Sequence, residues 1–423
     1  MKLTFFHMQG YRDLPDNFSD RYESVWVNPP NDELCDPVME GQYLRWNLEE
    51  IELAARLGYD GVGTNEHHQN AYGFPMPNLT AYHLAAVTKD VAIVLLGMTL
   101  PIYHPLRVAE EMGQIDCLSG GRLVAGWPVG TSMDVNHCYG VTPTQTRGRW
   151  AEAHDLIKAA WTQKGPFVWN GKYNKLRFVN PWPKPIQQPH PPIWLAGGGS
   201  LETFELAAKE NYTYSFLSFG GHLAGNAMMQ QFWETNDQAG NDANPYRGGF
   251  AQIVMVADTD QEAERLYEQH VKNFYMKSLH VAPQFAVTPG YSTKRSLENS
   301  IKKMQAATAF DPAYRGAVTW KTAIESGQVI GGSPATVRDQ LLEASKRMRI
   351  GNWILLMQLQ SMPHDLTNYN IRLFAEKVMP HVRDLWDDEW DAGPYWPSGA
   401  RKPKLATETV GARSLVADPV PAE

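Results

Sequence analysis

Cysteine is scarce. The 423 residues hold three, Cys35, Cys117 and Cys138, with no CxxC spacing, so a disulfide scaffold is excluded and a reducing, cytoplasmic setting is expected. Long apolar runs are missing too. The most apolar stretch, VAIVLLGMTL at 91–100, is too short to cross a bilayer and reads as a buried strand. The opening MKLTFFHMQG carries one lysine and turns polar at once, so neither a signal peptide nor a membrane partner is expected. Positive charge is in deficit, with 38 Lys and Arg against 46 Asp and Glu and a net charge of −8. That balance opposes the phosphate attraction on which sequence-independent nucleic-acid binding rests. No GxGxxG opens a βαβ unit, and GWPVGT at 126–131 does not have that spacing; a built-in nicotinamide domain is therefore not expected.

What is present is a globular composition, 43% hydrophobic and 20% charged, arranged as short apolar runs alternating with amphipathic stretches. Strands are expected at Leu3–His7, Gly61–Asn65, Val91–Thr99, Arg122–Trp127, Pro192–Ala196, Thr213–Leu217, Gln252–Val256 and Trp353–Met357. Eight such strands with helices between them, among these Gly41–Leu57 and Ser333–Met348, predict an α/β fold, a (β/α)8 TIM-type barrel with insertions. Residues 1–386 are expected to form that barrel and 387–423 a C-terminal arm or tail. Three stretches break the rhythm. Residues 11–39 form a long loop after the first strand, on the face where barrels place their chemistry. Residues 167–190 read as an outer hairpin turning at Asn170-Gly171. Residues 280–330, with a helical run Ser296–Phe310, are a candidate lid.

The sharpest local feature is NEHHQNAYG, residues 65–73, at the end of the second strand. Successive residues on a strand point to opposite faces, so His67 and His68 beside Glu66 cannot both chelate without a turn, and no metal site is expected. Further on stand GMTLPIYHPLRVAEEMGQIDCLSGGRLVAGW at 97–127, PHPPIWLAGGGSLETFELAA at 189–208, GSPATVRDQL at 332–341 and SMPHDLTNYNIRLFAEKVMPHVR at 361–383. In this order the motifs resemble the bacterial-luciferase-like flavin-dependent monooxygenases.

The resemblance implies a site for FMN at the C-terminal ends of the strands. It implies reduced flavin supplied by a separate flavin reductase, and O2 as co-substrate. It further implies oxygenation of a small, apolar organic substrate through a C4a-(hydro)peroxyflavin. His67 matches the histidine that faces the flavin ring, where an imidazole suits acid–base work near neutral pH. Leu96, Gly97 and Met98 match the segment beneath the isoalloxazine, with Gly97 also readable as a strand kink. Gly197, Gly198, Gly199 and Ser200 open a helix and suit a phosphate. His137 and Tyr139 sit on the loop where relatives contact flavin, or pack as ordinary loop residues. One departure stands out: the flavin-phosphate arginine of the luciferase subunit is Val129 here, so Arg147 or Arg149 must take its place or remain solvated. Two alternatives stay open in the same fold, an F420-dependent oxidoreductase and a non-catalytic flavin-binding subunit. A homodimer is expected from the resemblance and from Trp386, Trp390 and Trp396, which an isolated chain would expose.

Overall fold

The structure, a computed structural model, describes residues 1–401 apart from 74, 131–132, 218, 283–284, 286–289 and 299–317. The strands are β1 (Lys2–His7), β2 (Gly61–Thr64), β3 (Ala92–Leu96), β4 (Leu123–Gly126), β5 (Phe167–Asn170), β6 (Lys175–Val179), β7 (Ile193–Gly197), β8 (Thr213–Phe216), β9 (Gly248–Val256), β10 (Val329–Gly332) and β11 (Asn352–Leu356). Eight of them close a parallel barrel in the order β9-β11-β1-β2-β3-β4-β7-β8, with β8 pairing back to β9. The helices needed below are α1 (Pro37–Arg56), α2 (Pro77–Val87), α3 (Pro105–Ser119), α4 (Pro143–Thr162), α5 (Leu201–Glu210), α6 (Gly221–Gln238) and α7 (Pro334–Met348).

Alternation along each strand builds two cores. Phe6, Val94, Leu96, Val124, Trp194 and Ile354 point into the barrel, while Leu3, Phe5, Ile93, Leu95, Leu123 and Leu355 pack against the helices. Both faces are buried, which is why these strands read as continuous apolar runs rather than as alternating ones. Helix α1 starts where the Asp36 side chain accepts from the Val38 and Met39 amides and Pro37 fills the first turn, and Ser333 with Pro334 does the same for α7. The expected hairpin is β5 with β6, antiparallel and outside the barrel.

Two expectations change. A ninth strand, β10, extends the sheet along β9 beyond β8. Its sequence VIGG is too short and glycine-rich to stand out from the expected insertion. The tail tryptophans are not left to solvent. Trp396 is 8% exposed and seals the N-terminal end of the barrel, 6.0 Å from Trp194 ring to ring and under the Lys2 ammonium at 5.5 Å. Trp194 donates through Nε1 to the Tyr395 carbonyl at 3.0 Å, and Trp386 donates to the Ile350 carbonyl at 2.8 Å. The argument for a dimer from exposed tail aromatics therefore fails. The helical run expected at Ser296–Phe310 falls largely outside the described residues. Among those described, no helix is long and apolar enough to cross a membrane.

Candidate active site

At the C-terminal end of β2 the chain leaves the barrel through Asn65, Glu66, His67 and His68. Glu66 is 5% exposed and fully engaged: it accepts from the Thr99 amide at 2.7 Å and from the Tyr103 hydroxyl. Burial and the Glu66 carboxylate both hold the Tyr103 phenol far above its usual range, so Tyr103 stays a donor. His68, 3% exposed, lies 3.4 Å through Nε2 from Glu66 and 3.3 Å through Nδ1 from the Tyr139 hydroxyl. Glu66 and His68 thus fasten the loop. Asn70 ties it further, donating to the His68 carbonyl at 2.7 Å and accepting from the Tyr72 amide at 2.8 Å.

His67 is left half-buried between two aromatic rings, stacked on Trp26 at 6.0 Å and 18° and edge-on to Tyr72 at 4.5 Å and 88°. Trp26 comes from the long first loop, and nothing in its local sequence pattern marks it. The Tyr72 segment is held from the loop after β11, where Gln360 donates to the Ala71 carbonyl at 2.6 Å and accepts from Ser278. No group of three or more His, Cys, Asp or Glu is placed to hold a metal ion among the described residues.

Leu96 points into the barrel and Met98 into the outer core, so of this pair only Leu96 faces the interior. The glycine between them has a local reason: a Cβ on Gly97 would lie 2.6 Å from the Glu66 amide nitrogen. Close approach of the β2 and β3 exits therefore accounts for Gly97. His137 is exposed, and Tyr139, 44% exposed, touches the site through His68 and, ring to ring at 6.4 Å, through Tyr103.

Three amide oxygens at neighbouring strand exits have no hydrogen-bond partner among the described residues. Gln9 follows β1, Asn65 follows β2 and Gln358 follows β11; they are 3%, 6% and 1% exposed. Buried polar atoms left unpaired cost about 1–3 kcal/mol each, so this part of the mouth is built to receive N–H donors. The edge of a reduced isoalloxazine supplies such donors, and FMN fits the residues present at this end.

The expected phosphate segment, Gly197 to Ser200, runs from the end of β7 to the start of α5. Gly199 has φ +100° and faces Met228, so a side chain there would be strained and would clash. Ser200 is the N-cap of α5 without capping it. Its hydroxyl donates to Glu202 at 2.8 Å and accepts from Arg147 Nη2 at 3.3 Å. Arg147 is half-buried, bonds the Tyr291 carbonyl at 3.4 Å and lies 4.7 Å over the Tyr291 ring; a guanidinium thus stands beside the position that Val129 leaves without one. Arg149 instead bonds Gln145 within its own helix. From Val129 and Arg147 a cavity of about 390 Å³ runs down between α4 and α5, past Trp150 and His154, to Glu210. Burial would raise the Glu202 carboxyl, but hydrogen bonds from Ser296, Thr293 and Ser200 bring it down to about 2. It is a fixed anion in that cleft.

Several solved structures share this architecture. The oxygenating constituent of 3,6-diketocamphane monooxygenase from Pseudomonas putida, in complex with FMN, superposes with a TM-score of 0.64 at 18% identity, covering 90% of this chain and 98% of that one. An F420-dependent secondary alcohol dehydrogenase gives 0.60 at 18% identity, covering 91% and 100%. At these identities the likeness shows the fold alone. In sequence, the oxygenase component of the flavin-dependent trigonelline monooxygenase of Acinetobacter baylyi is 32% identical over 152 residues, 35% of this chain and 42% of that protein, so the match spans less than half of that relative. Residues 27–349 match the family model of the luciferase-like monooxygenases. The chain belongs to that family.

Proposed function

We propose that the protein is the oxygenase of a two-component system, using reduced FMN from a separate flavin reductase, and O2, to oxygenate a small apolar organic molecule. Reduced FMN, when bound, supplies the electrons that activate oxygen. Arg147, the Ser200 hydroxyl and the α5 N-terminus would hold its phosphate, and the amide oxygens of Gln9, Asn65 and Gln358 would orient its ring. His67 offers an imidazole at the mouth, held by Trp26 and Tyr72, to give or take a proton beside the reacting oxygen. The two aromatic rings also make an apolar wall that shields this point from water.

One observation favours FMN over the deazaflavin F420. The cleft leading away from the phosphate position carries Asp155, Glu202 and Glu210 against Arg147 and Lys209. F420 continues past its phosphate into a chain of glutamates, which that excess of carboxylates repels. The test is anaerobic titration with reduced FMN and with reduced F420, followed by admission of ¹⁸O2 with a panel of small cyclic and aromatic substrates. Binding of reduced FMN alone and ¹⁸O in the product are expected. Tight binding of reduced F420 with substrate turnover in the absence of oxygen would replace this reading by the dehydrogenase one.

A further inference from the structure

His7 ends β1, and the alternation that sends Phe6 into the barrel sends His7 outward against α1. An apolar side chain would suit that position. The chain instead buries a cluster of ionisable groups, with His7 and Glu50 both 0% exposed. Glu50 Oε2 lies 2.7 Å from His7 Nε2, Arg12 Nη2 reaches both carboxylate oxygens at 3.0 and 3.1 Å, and His364 Nδ1 stands 2.8 Å from Oε1. Glu49 faces the other ring nitrogen of His364 at 3.3 Å. Apolar residues of similar volume would hold strand and helix together as well or better, because a buried ion pair repays little beyond its own desolvation. Stability alone therefore does not account for the cluster.

The Gln9 backbone does. Its amide can only donate, and it lies 2.9 Å from His7 Nδ1, so that nitrogen carries the lone pair and Nε2 carries the proton that Glu50 accepts. Burial lowers the His7 pKa despite Glu50, which keeps Nδ1 free to accept. Gln9 has φ +56°, in the left-handed region that a residue with a Cβ enters only when held there. The bond to Nδ1 holds it. Beyond Gln9 the turn leaves no room for a Cβ at Gly10 beside Gln360. The Tyr11 amide donates to the Ala71 carbonyl at 2.9 Å, and Arg12 returns to Glu50 and to the Met362 carbonyl at 3.0 Å. One turn thus sets the Gln9 amide at the mouth and braces Ala71, next to the Tyr72 ring that His67 meets edge-on.

Resting on the reading that the reduced ring lies at this mouth, we propose that His7 is a positioning residue for it: oriented by Glu50, its Nδ1 fixes the turn that aims the Gln9 oxygen at the ring. Two substitutions separate this role from packing. His7→Gln keeps a donor for Glu50 and loses the acceptor at the Nδ1 position, whereas His7→Asn keeps an acceptor there and loses the donor. Melting temperature should rank wild type, His7→Gln, His7→Asn from high to low. Affinity for reduced riboflavin, which has the ring without the phosphate, should rank wild type, His7→Asn, His7→Gln, the last weaker than wild type by about fivefold. Gln9→Ala leaves the ion cluster intact and should lose as much as His7→Gln, and the double variant no more than either, because one acts through the other. With no flavin present, residue-resolved hydrogen exchange should find the Gln9 amide protected in the wild type and released in His7→Gln. Affinity that follows melting temperature, losses that add in the double variant, or a freely exchanging Gln9 amide in the wild type would each overturn the role of His7. Circular dichroism checks folding; should neither His7 variant fold, Gln9→Ala with wild-type affinity would still overturn it. A wild type with a protected Gln9 amide that binds no reduced riboflavin would overturn the reading of the mouth, and this role with it.

Discussion

Two arginines, one at each end of the barrel, show how differently its two ends are built. Arg122, 2% exposed at the floor, uses all five of its N–H donors inside the protein. They go to the Ser119, Val91, Ala85 and Thr88 carbonyls and the Thr88 hydroxyl, at 2.7–3.2 Å. Two of those carbonyls close the last turn of α2, where a cation also meets the negative end of the helix. Arg147, at the mouth, makes two long bonds, to Ser200 and the Tyr291 carbonyl, and keeps donors to spare. An arginine saturated by its own fold is structural; one held in place by a ring and a hydroxyl, with donors left over, is set for a ligand. The unpaired oxygens of Gln9, Asn65 and Gln358 repeat the lesson at the mouth.

If that contrast holds, substitutions at the mouth remove chemistry and substitutions at the floor remove stability. The largest effect is expected for His67→Ala. Product formation should fall roughly a hundredfold to ten-thousandfold, the range for a lost acid–base group, while oxygen uptake continues and hydrogen peroxide accumulates. The melting temperature should stay near wild type, since Glu66 and Asn70 fasten the loop. Coupled turnover in a folded His67→Ala protein would remove the residue from the reaction. Arg122→Met should do the opposite, lowering unfolding free energy by about 3 kcal/mol or more through unpaired carbonyls with turnover per folded molecule unchanged. Urea denaturation and activity on the same preparation separate the two.

Much of this contrast can be read in the sequence, for physical reasons that differ by element. Strands buried on both faces announce themselves as apolar runs, so the barrel and its order are visible. So is NEHHQNAYG, because its residue types are rare at a strand exit. Gly199 and Ser200 are legible as a turn into a helix. Trp26, Tyr103 and Gln360 are not, because each acts across a long stretch of chain on a partner that no local period encodes. Trp396 reads as a loose-tail aromatic until the barrel floor exists to receive it. β10 is hidden because pairing along β9, and not its own four residues, makes VIGG a strand.

Acid should act on both ends together. Burial lowers the pKa of His7, His154, His190 and His270, and burial with the Arg347 guanidinium lowers His222 to about 4. A histidine held neutral in the fold but protonated when unfolded contributes stability above its unfolded value of about 6.5, lost as pH falls toward its folded value. Glu50 extends the loss downward. Burial opposes its ionisation, but His364, His7 and Arg12 bring it to about 2, so its contribution is present above about 4.5 and disappears toward 2. The melting temperature should therefore fall continuously as pH drops below about 6.5. A profile flat down to pH 5 would show that these histidines are protonated without cost.

The smallest effect, and the finest test of the contrast, lies at Ser200 and Arg147. Arg147→Lys keeps the charge but loses the planar fork, so reduced FMN should bind less tightly by a few-fold, about 1 kcal/mol. Ser200→Asp adds a second carboxylate beside Glu202 at the proposed phosphate position and should weaken binding about tenfold or more. Riboflavin, which has no phosphate, gives the control: its affinity should be the same in wild type, Arg147→Lys and Ser200→Asp. Equal losses for FMN and riboflavin would mean that these substitutions disturb the cleft as a whole. Losses confined to FMN would fix the phosphate between α4 and α5, at the end of the cleft where Arg147 has donors to offer.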